Sequence, residues 1–175
     1  MNTHSDLSKK HTERIEFSSE SLDKVREIIA QYPEGKQKSA VIAILHLAQK
    51  ERSWLSIETM NYVAEILNIK PIEVYEVATF YTMFHIDPVG KNVLEVCRTG
   101  PCMLVGSDEI ISYIENKLGI KVGETTSDGL FTLKTVECMG ACGYGPMLQC
   151  KGKNYEHLTK DAVDTLLEHF KNEAK

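Results

Sequence analysis

Residues 92–102 read NVLEVCRTGPC, and residues 131–142 read FTLKTVECMGAC. Each stretch begins with a β-rich run, and residues 131–134 alternate between apolar and polar side chains as a half-buried strand does. Each run then leads to a cysteine pair: Cys97 and Cys102 in a C-x4-C spacing, Cys138 and Cys142 in a C-x3-C spacing. The pattern predicts two strands that end in glycine-rich loops, with four thiols meeting beyond one edge of a sheet.

Four thiolates suit a zinc ion, a [2Fe–2S] cluster or a [4Fe–4S] cluster. Zinc ribbons prefer tight C-x2-C pairs, whereas both pairs are longer here. The spacing favours a wider group with two sulfurs on each of two irons, so we expect these four cysteines to bind one [2Fe–2S] cluster. A structural zinc site is the main alternative. A thiol–disulfide exchange site is disfavoured because the sequence has no C-x-x-C motif.

The rest of this half predicts a small layered α/β fold. Ser107 is followed by two acidic residues and is predicted to cap a helix that ends at Gly119. Further strands are predicted at residues 147–150 and, after a turn at residues 151–154, around the next tyrosine. Thr159 is predicted to cap the last helix. The fifth cysteine, Cys150, is expected to be a buried free thiol.

The first half of the chain predicts a small helical bundle. Its helices are expected after Ser18 or Ser19, over residues 37–51, from Ser56 to Asn68, and from Pro71. The pattern changes at DPVG, residues 87–90. We therefore expect an α+β chain in three parts: a mobile arm (1–17), a helical bundle (18–87) and the α/β domain (88–175).

Composition narrows the function. The chain has 175 residues and a net charge of −5, which makes nucleic-acid binding unfavourable. No run approaches the ~18 apolar residues that a membrane span needs. The N-terminus has neither the apolar stretch of a secretory signal nor the acid-poor composition of a transit peptide, so we expect a cytosolic protein. Clustered cysteines in a reducing compartment typically bind metal or carry out redox chemistry.

Longer stretches of the sequence resemble a known family. In the second half they are VCRTGPCMLVGSDEI, VGETTSDGLFTLKTVECMGACGYGPML and YEHLT; in the first half they are AILHLAQKERSWLS, VAEIL, VYEVATFYTMF and PVGK. Together they closely resemble the thioredoxin-like [2Fe–2S] ferredoxin family, as it occurs in bacterial NADH:quinone oxidoreductase, respiratory complex I. The resemblance runs from about Phe17 to Phe170.

The resemblance implies a helical bundle followed by a thioredoxin-like domain, with Cys97 and Cys102 on one iron and Cys138 and Cys142 on the other. It also implies an electron-transfer subunit of an NADH dehydrogenase complex, whose one [2Fe–2S] cluster exchanges single electrons with FMN. The FMN and NADH would be bound by a partner subunit, because no Gly-rich dinucleotide motif is present here. The bundle would pack on the large iron–sulfur subunit of the complex, at the cytoplasmic side of the inner membrane. The chain itself would have no catalytic residue.

Two other functions stay open. One is the equivalent diaphorase subunit of an NAD-linked formate dehydrogenase or hydrogenase, which the sequence separates only weakly from complex I. The other, from a different class, is a zinc-binding module that serves assembly. Iron, acid-labile sulfide and colour would distinguish the zinc module from both electron carriers.

Several residues near the cysteines or in the bundle have two interpretations. The glycines at positions 100, 140, 143 and 145 are expected to adopt positive φ and to let backbone N–H groups approach the sulfurs. Arg98 is either a counter-charge to a cluster or a plain surface residue. His46 and His85 are expected to be core or hydrogen-bonded residues, and the aromatic run at residues 80–84 either faces a partner or packs inside.

Overall fold

The computed structural model describes residues 16–173, and the chain divides into two compact units between Phe84 and His85. The expected limit between residues 87 and 88 lies close to this division and stays a prediction. Residues 1–15 of the expected arm lie outside the described residues, as do residues 174–175. Phe17, at the end of the expected arm, is buried in the helical core, where its ring packs on Tyr62 at 5.3 Å between centroids.

The first unit consists of helices, as the sequence predicts. They are α1 (Ser19–Ile29), a 3-10 helix (Gln37–Ala40), α2 (Val41–Arg52), α3 (Ile57–Leu67) and α4 (Pro71–Phe80). Two predicted caps are confirmed, since the Ser18 and Ser56 side chains each accept a hydrogen bond from a backbone N–H three residues further on. Pro71 starts α4 as predicted, because its fixed φ suits a first helical turn.

The second predicted helix begins differently from the expectation. Its first turn is the 3-10 helix, and Lys36 before it provides no side-chain cap. A 3-10 turn is one way to satisfy the free N–H groups of an uncapped helix start. α2 buries Ile44 and Leu45, but it leaves His46 exposed, with the His46 ring 5.0 Å from that of Phe84. The first of the two roles expected for His46, that of a core residue, is therefore wrong.

The second unit combines four strands with helices. Its elements are β1 (Asn92–Cys97), α5 (Gly100–Leu104), α6 (Ser107–Leu118), β2 (Phe131–Val136), a 3-10 turn (Cys142–Tyr144), β3 (Leu148–Cys150), β4 (Lys153–Tyr155) and α7 (Lys160–Glu173). The strand order is β2-β1-β3-β4, with β1 parallel to β2 and the other two pairings antiparallel. The predicted mixture of helices and a small sheet is confirmed.

One face of this sheet packs against α6 and α7. Alternate residues of β1, Leu94 and Val96, belong to one apolar core with buried residues of both helices, because alternate side chains on a strand point to the same face. Cys150 is fully buried in the same core and unpaired, as predicted. Burial raises the pKa of its thiol to about 11. Thr159 caps α7 by accepting a hydrogen bond from the N–H of Ala162 at 3.1 Å.

Three local predictions in this unit are wrong. α5 forms where a loop was expected. Gly106, with φ of 98°, precedes α6, so Ser107 is the first helical residue and its buried hydroxyl does not cap the helix. The turn after β3 contains only Lys151 and Gly152, both at positive φ, as a two-residue hairpin of this twist requires.

In the described part of the chain, no helix is both long and apolar enough to cross a membrane.

Candidate iron–sulfur site

The site lies where the parallel strands β1 and β2 end. Cys97 is the last residue of β1, and its register partner in β2 is Val136, which comes two residues before Cys138. Parallel strands have their carboxyl ends at the same edge of a sheet, so the two cysteine pairs start from neighbouring positions. The expectation that both pairs meet beyond one sheet edge is therefore confirmed.

The first pair is buried. Cys97 and Cys102 are each 1% exposed. Cys97 is held by a hydrogen bond from its N–H to the carbonyl of Met147, at 3.1 Å, and α5 turns the chain back so that Cys102 faces Cys97. The interaction between their thiols is large enough to influence the pKa of both.

The second pair is exposed. The sulfurs of Cys138 and Cys142 lie 3.2 Å apart, and the N–H of Gly140 donates to the Cys138 sulfur at 3.4 Å. Gly140 has φ of 81°, a conformation that side-chain-bearing residues rarely adopt. A glycine is therefore needed at this position for the loop to turn its N–H toward the sulfur.

Hydrogen bonds contribute to a difference in pKa between the two buried thiols. Burial raises the pKa of Cys97, but hydrogen bonds from the Thr99 hydroxyl, 3.3 Å away, and from the backbone of Thr99 and Met139 outweigh it, so the net shift is downward. Burial and the neighbouring Cys97 raise the pKa of Cys102 to about 11. Met139 belongs to the loop that carries the second pair, and its backbone hydrogen bond to Cys97 connects that loop to the first pair. Thr99 makes a second connection, because its hydroxyl influences both Cys97 and Cys138.

The pKa values of the two exposed thiols are also shifted in opposite directions. The backbone N–H of Gly140 lowers the pKa of Cys138, whereas the neighbouring Cys138 raises that of Cys142. A charge on Cys97 also raises the pKa of Cys142, and Cys142 in turn influences Cys102. The two pairs are therefore close enough for a charge on one to influence the pKa of the other. Within residues 16–173, no three cysteine, histidine or carboxylate side chains are placed to hold a single metal ion.

The expectation of positive φ holds for only one of the four glycines. Gly140 has positive φ, whereas Gly100, Gly143 and Gly145 do not. Gly145 has an ordinary extended conformation, with φ of −69°, but a Cβ placed there would lie 3.3 Å from the Cys102 sulfur and 2.9 Å from Cγ2 of Val105. The backbone of Gly145 therefore approaches Cys102 closely, which the sequence pattern did not reveal.

The other residues singled out in the sequence lie around this site or in the bundle. Arg98 Nε donates to Asp108 Oδ1 at 3.0 Å on the surface, so its charge is already paired. His85 is buried and lies 3.0 Å from Lys134 Nζ, which confirms the expectation for this histidine. In the aromatic run Phe84 is buried, whereas Phe80 is 76% exposed.

Sequence reasoning missed the groups that surround the sulfurs. Thr99 lies between the two cysteines of the first pair, and its hydroxyl contacts Cys97 and influences Cys138. Its position two residues after a candidate ligand was the available signal. The backbone groups of Met139 and Met147 carry no such signal, because their role depends only on how the loops fold.

Comparisons with known proteins agree with this arrangement. A profile of the thioredoxin-like [2Fe–2S] ferredoxin family matches residues 25–171. The mitochondrial NADH dehydrogenase [ubiquinone] flavoprotein 2 of Dictyostelium discoideum is 45% identical, over 97% of this chain and 72% of its own length. An NADH-quinone oxidoreductase subunit of Rickettsia felis is 42% identical, over 91% of this chain and 96% of its own length.

A similar fold occurs in a solved structure. A chain of an NAD+-reducing [NiFe]-hydrogenase in the air-oxidised state matches 77% of this chain, with a TM-score of 0.68 and 19% identity. The match covers 23% of the hydrogenase chain, so it concerns the fold of one part of that protein. The profile match and the two relatives cover nearly the whole described sequence, including all four clustered cysteines. The chain belongs to the thioredoxin-like [2Fe–2S] ferredoxin family.

Proposed function

We propose that this chain is the electron-transfer subunit of an NADH:quinone oxidoreductase, with one [2Fe–2S] cluster bound by Cys97, Cys102, Cys138 and Cys142. The observation that carries the proposal is that the two cysteine pairs follow the neighbouring carboxyl ends of the parallel strands β1 and β2. Relatives at 42–45% identity are named as subunits of such complexes. The chain is an electron carrier and has no substrate site of its own.

The residues present fit a [2Fe–2S] cluster. Four cysteine sulfurs are the usual ligands of this group, and no other side chain is needed. The sulfurs are arranged as two pairs, which supports two irons with two protein sulfurs each. A single zinc ion requires all its ligands around one point, and the described residues contain no such group of three or more.

Each ligand pair has a distinct task. Cys97 and Cys102 would hold one iron and are buried, where β1 is bonded to a strand on each side. Cys138 and Cys142, which are exposed, would hold the other iron. When bound, the cluster takes up and releases one electron at a time, at a potential that hydrogen bonds to the sulfurs adjust. The Thr99 hydroxyl and the Gly140 N–H stabilise negative charge on the sulfurs they contact.

The surroundings of the site suit an electron-transfer partner. Leu104 is 89% exposed and Met103 is 45% exposed, both directly after the ligand Cys102. We infer that this apolar rim faces the NADH- and FMN-binding subunit, while the helical bundle packs on the large iron–sulfur subunit. In this assembly the chain lies at the cytoplasmic side of the inner membrane without crossing it.

The test is an anaerobic preparation of the full chain, analysed for iron, acid-labile sulfide and zinc. We expect two irons and two sulfides per chain, and a spin-half EPR signal that appears only after reduction with dithionite. Stoichiometric zinc without sulfide, in protein purified from its native host, would contradict the proposal and leave a structural zinc module.

The partner assignment needs a separate measurement. Affinity purification of the tagged chain from its native host should recover a flavin-containing NADH dehydrogenase subunit together with quinone-reducing subunits. Recovery with a formate dehydrogenase or hydrogenase instead would assign the chain to the diaphorase alternative.

A further inference from the structure

We propose that Cys138 and Cys142 are a site of reversible oxidation: in the chain that has not yet bound a cluster, a peroxide joins their sulfurs in a disulfide, and this disulfide prevents cluster uptake until it is reduced. This inference rests on the proposed ligation by the four cysteines. It concerns the readiness of the chain itself for a cluster, and not the catalysis of disulfide exchange in other proteins.

The two sulfurs are close enough to bond after a small movement. The Cys138 and Cys142 sulfurs lie 3.2 Å apart. An S–S bond is about 2.05 Å long, so the sulfurs have to approach by roughly 1 Å. The loop has room for this movement, because a Cβ placed on Gly140 or Gly143 would meet no atom within 4 Å. Since β2 ends at Val136, before the loop begins, no strand has to shift.

Exposure separates this pair from the other three cysteines of the chain. Cys138 and Cys142 are exposed, whereas Cys97 and Cys102 are each 1% exposed and Cys150 is fully buried. A dissolved oxidant reaches exposed thiols first, because the surrounding protein shields a buried thiol from it. A limited amount of peroxide should therefore produce one disulfide, between the two exposed residues.

The reaction consumes hydrogen peroxide and needs no further reactant. In the first step the sulfur of one of the two thiols attacks the peroxide: an S–O bond forms, the O–O bond breaks, and a sulfenic acid remains while water leaves with the thiol proton. In the second step the other sulfur displaces the hydroxyl group: the S–S bond forms, the S–O bond breaks, and a second water leaves with the second thiol proton. The two sulfurs together lose two electrons, and the peroxide gains them.

The disulfide would prevent cluster uptake because iron is bound by thiolates. Two of the four proposed ligands would be bonded to each other, and Cys97 and Cys102 alone do not complete the coordination of two irons. A dithiol reduces a disulfide through a mixed disulfide and so returns both ligands. The neighbouring thiol also protects the site, because a sulfenic acid that meets no thiol is oxidised further to sulfinic and sulfonic acids, which a dithiol does not reduce.

The experiment uses the full chain, prepared free of iron, reduced, and then treated with equimolar hydrogen peroxide. In one portion the remaining thiols are alkylated and the disulfide is located by peptide mass spectrometry. A second portion receives ferrous iron and sulfide anaerobically, with circular dichroism as a check on folding. We expect a disulfide between Cys138 and Cys142 and about tenfold less bound iron and sulfide than in the untreated chain. Dithiothreitol should restore the uptake of both.

Two variants separate the closeness of the pair from its exposure. Cys138→Ser leaves Cys142 exposed but removes the thiol 3.2 Å away, so peroxide should oxidise Cys142 to a sulfinic or sulfonic acid that dithiothreitol does not reverse. Cys150→Ala removes a buried thiol outside the site, so it should form the same disulfide as the unchanged chain and load equally after reduction.

Three results would overturn the inference. They are a disulfide that joins Cys138 or Cys142 to Cys97 or Cys102, undiminished uptake of iron and sulfide by the oxidised chain, and oxidation of Cys142 that dithiothreitol fully reverses in Cys138→Ser. Failure of the reduced, unchanged chain to take up iron and sulfide would instead overturn the proposed function.

Discussion

The Nζ of Lys134 donates a hydrogen bond to Nδ1 of His85 at 3.0 Å, so this ring nitrogen is unprotonated in the folded chain. Burial, together with the Lys134 charge, lowers the pKa of His85 to about 4 from an ordinary value of 6.5. Burial also lowers the pKa of Lys134, although Glu95 and Asp87 support its charge. The second unit therefore contains a buried, neutral histidine beside a lysine.

This pair predicts a loss of stability in mild acid. Between pH 6.5 and 4 the unfolded chain binds a proton at His85 and the folded chain does not, so the free energy of unfolding falls as the pH falls. The full effect of such a shift is on the order of 3 kcal/mol. Urea unfolding at pH 7.5 and pH 5 should show the decrease, and His85→Gln should reduce it. An equal decrease in both chains would contradict the role of His85.

Ser107 predicts a substitution that increases stability. Its side chain is fully buried, and its hydroxyl has no hydrogen-bond partner among the described residues. Ser107→Ala should raise the free energy of unfolding by about 1 kcal/mol, because an unpaired buried hydroxyl is costly. Ser112→Ala is the control in the same helix: the exposed Ser112 hydroxyl donates to the Asp108 carbonyl at 2.9 Å, and its loss should change little. A less stable Ser107→Ala would show that the hydroxyl does have a partner.

Thr99 predicts a change in reduction potential. Its hydroxyl lies 3.3 Å from the Cys97 sulfur, and a hydrogen bond to a ligand sulfur stabilises the more negative, reduced state. Thr99→Val should therefore lower the potential by roughly tens of millivolts, the equivalent of one hydrogen bond. Thr99→Ser keeps the hydroxyl, so its reduction potential in an EPR-monitored titration should equal that of the unchanged chain. An unchanged reduction potential in Thr99→Val would contradict a hydrogen bond from the Thr99 hydroxyl to a sulfur that binds the cluster.

The cysteines predict an all-or-none difference in iron content. Cys138→Ala should abolish the [2Fe–2S] EPR signal, since one iron would lose a ligand. Cys150→Ala should retain two irons and two sulfides per chain, because Cys150 lies in the apolar core formed with α6 and α7. A Cys150→Ala chain without iron, but folded by circular dichroism, would mean that the ligand set is incorrectly assigned.

Leu104 predicts a defect in partner binding alone. With 89% exposure it contributes nothing to the core, so Leu104→Asp should fold and load its cluster normally. A charge in the centre of an apolar contact should weaken binding to the flavin-containing partner about tenfold. Val122→Asp, in the loop that follows α6, is a control on another exposed apolar residue, 40% exposed. Equal binding of both variants, measured by calorimetry, would place the partner elsewhere.

The sequence predicted the parts of this fold that depend on local pattern. Helix periodicity with serine caps located α1 and α3, and the β-rich runs located β1 and β2 with their cysteines. The sequence failed to predict elements too short to show a pattern and contacts between residues far apart in the chain. α5 is too short to show periodicity, and it includes Pro101 in its first turn. Gly145 lies close to Val105, forty residues earlier in the chain, and spacing could not reveal this contact.

The position of the four thiols has a thermodynamic consequence for the whole second unit. The proposed ligands Cys97 and Cys142 lie at the two ends of a segment that includes α5, α6 and β2. A group bound to both acts as a staple that closes this segment into a ring and limits the conformations of the unfolded chain. The loop-closure entropy removed corresponds to roughly 3 kcal/mol. Ligation by these cysteines would make the cluster a structural cross-link as well as an electron carrier, and the chain stripped of iron should unfold at a lower urea concentration.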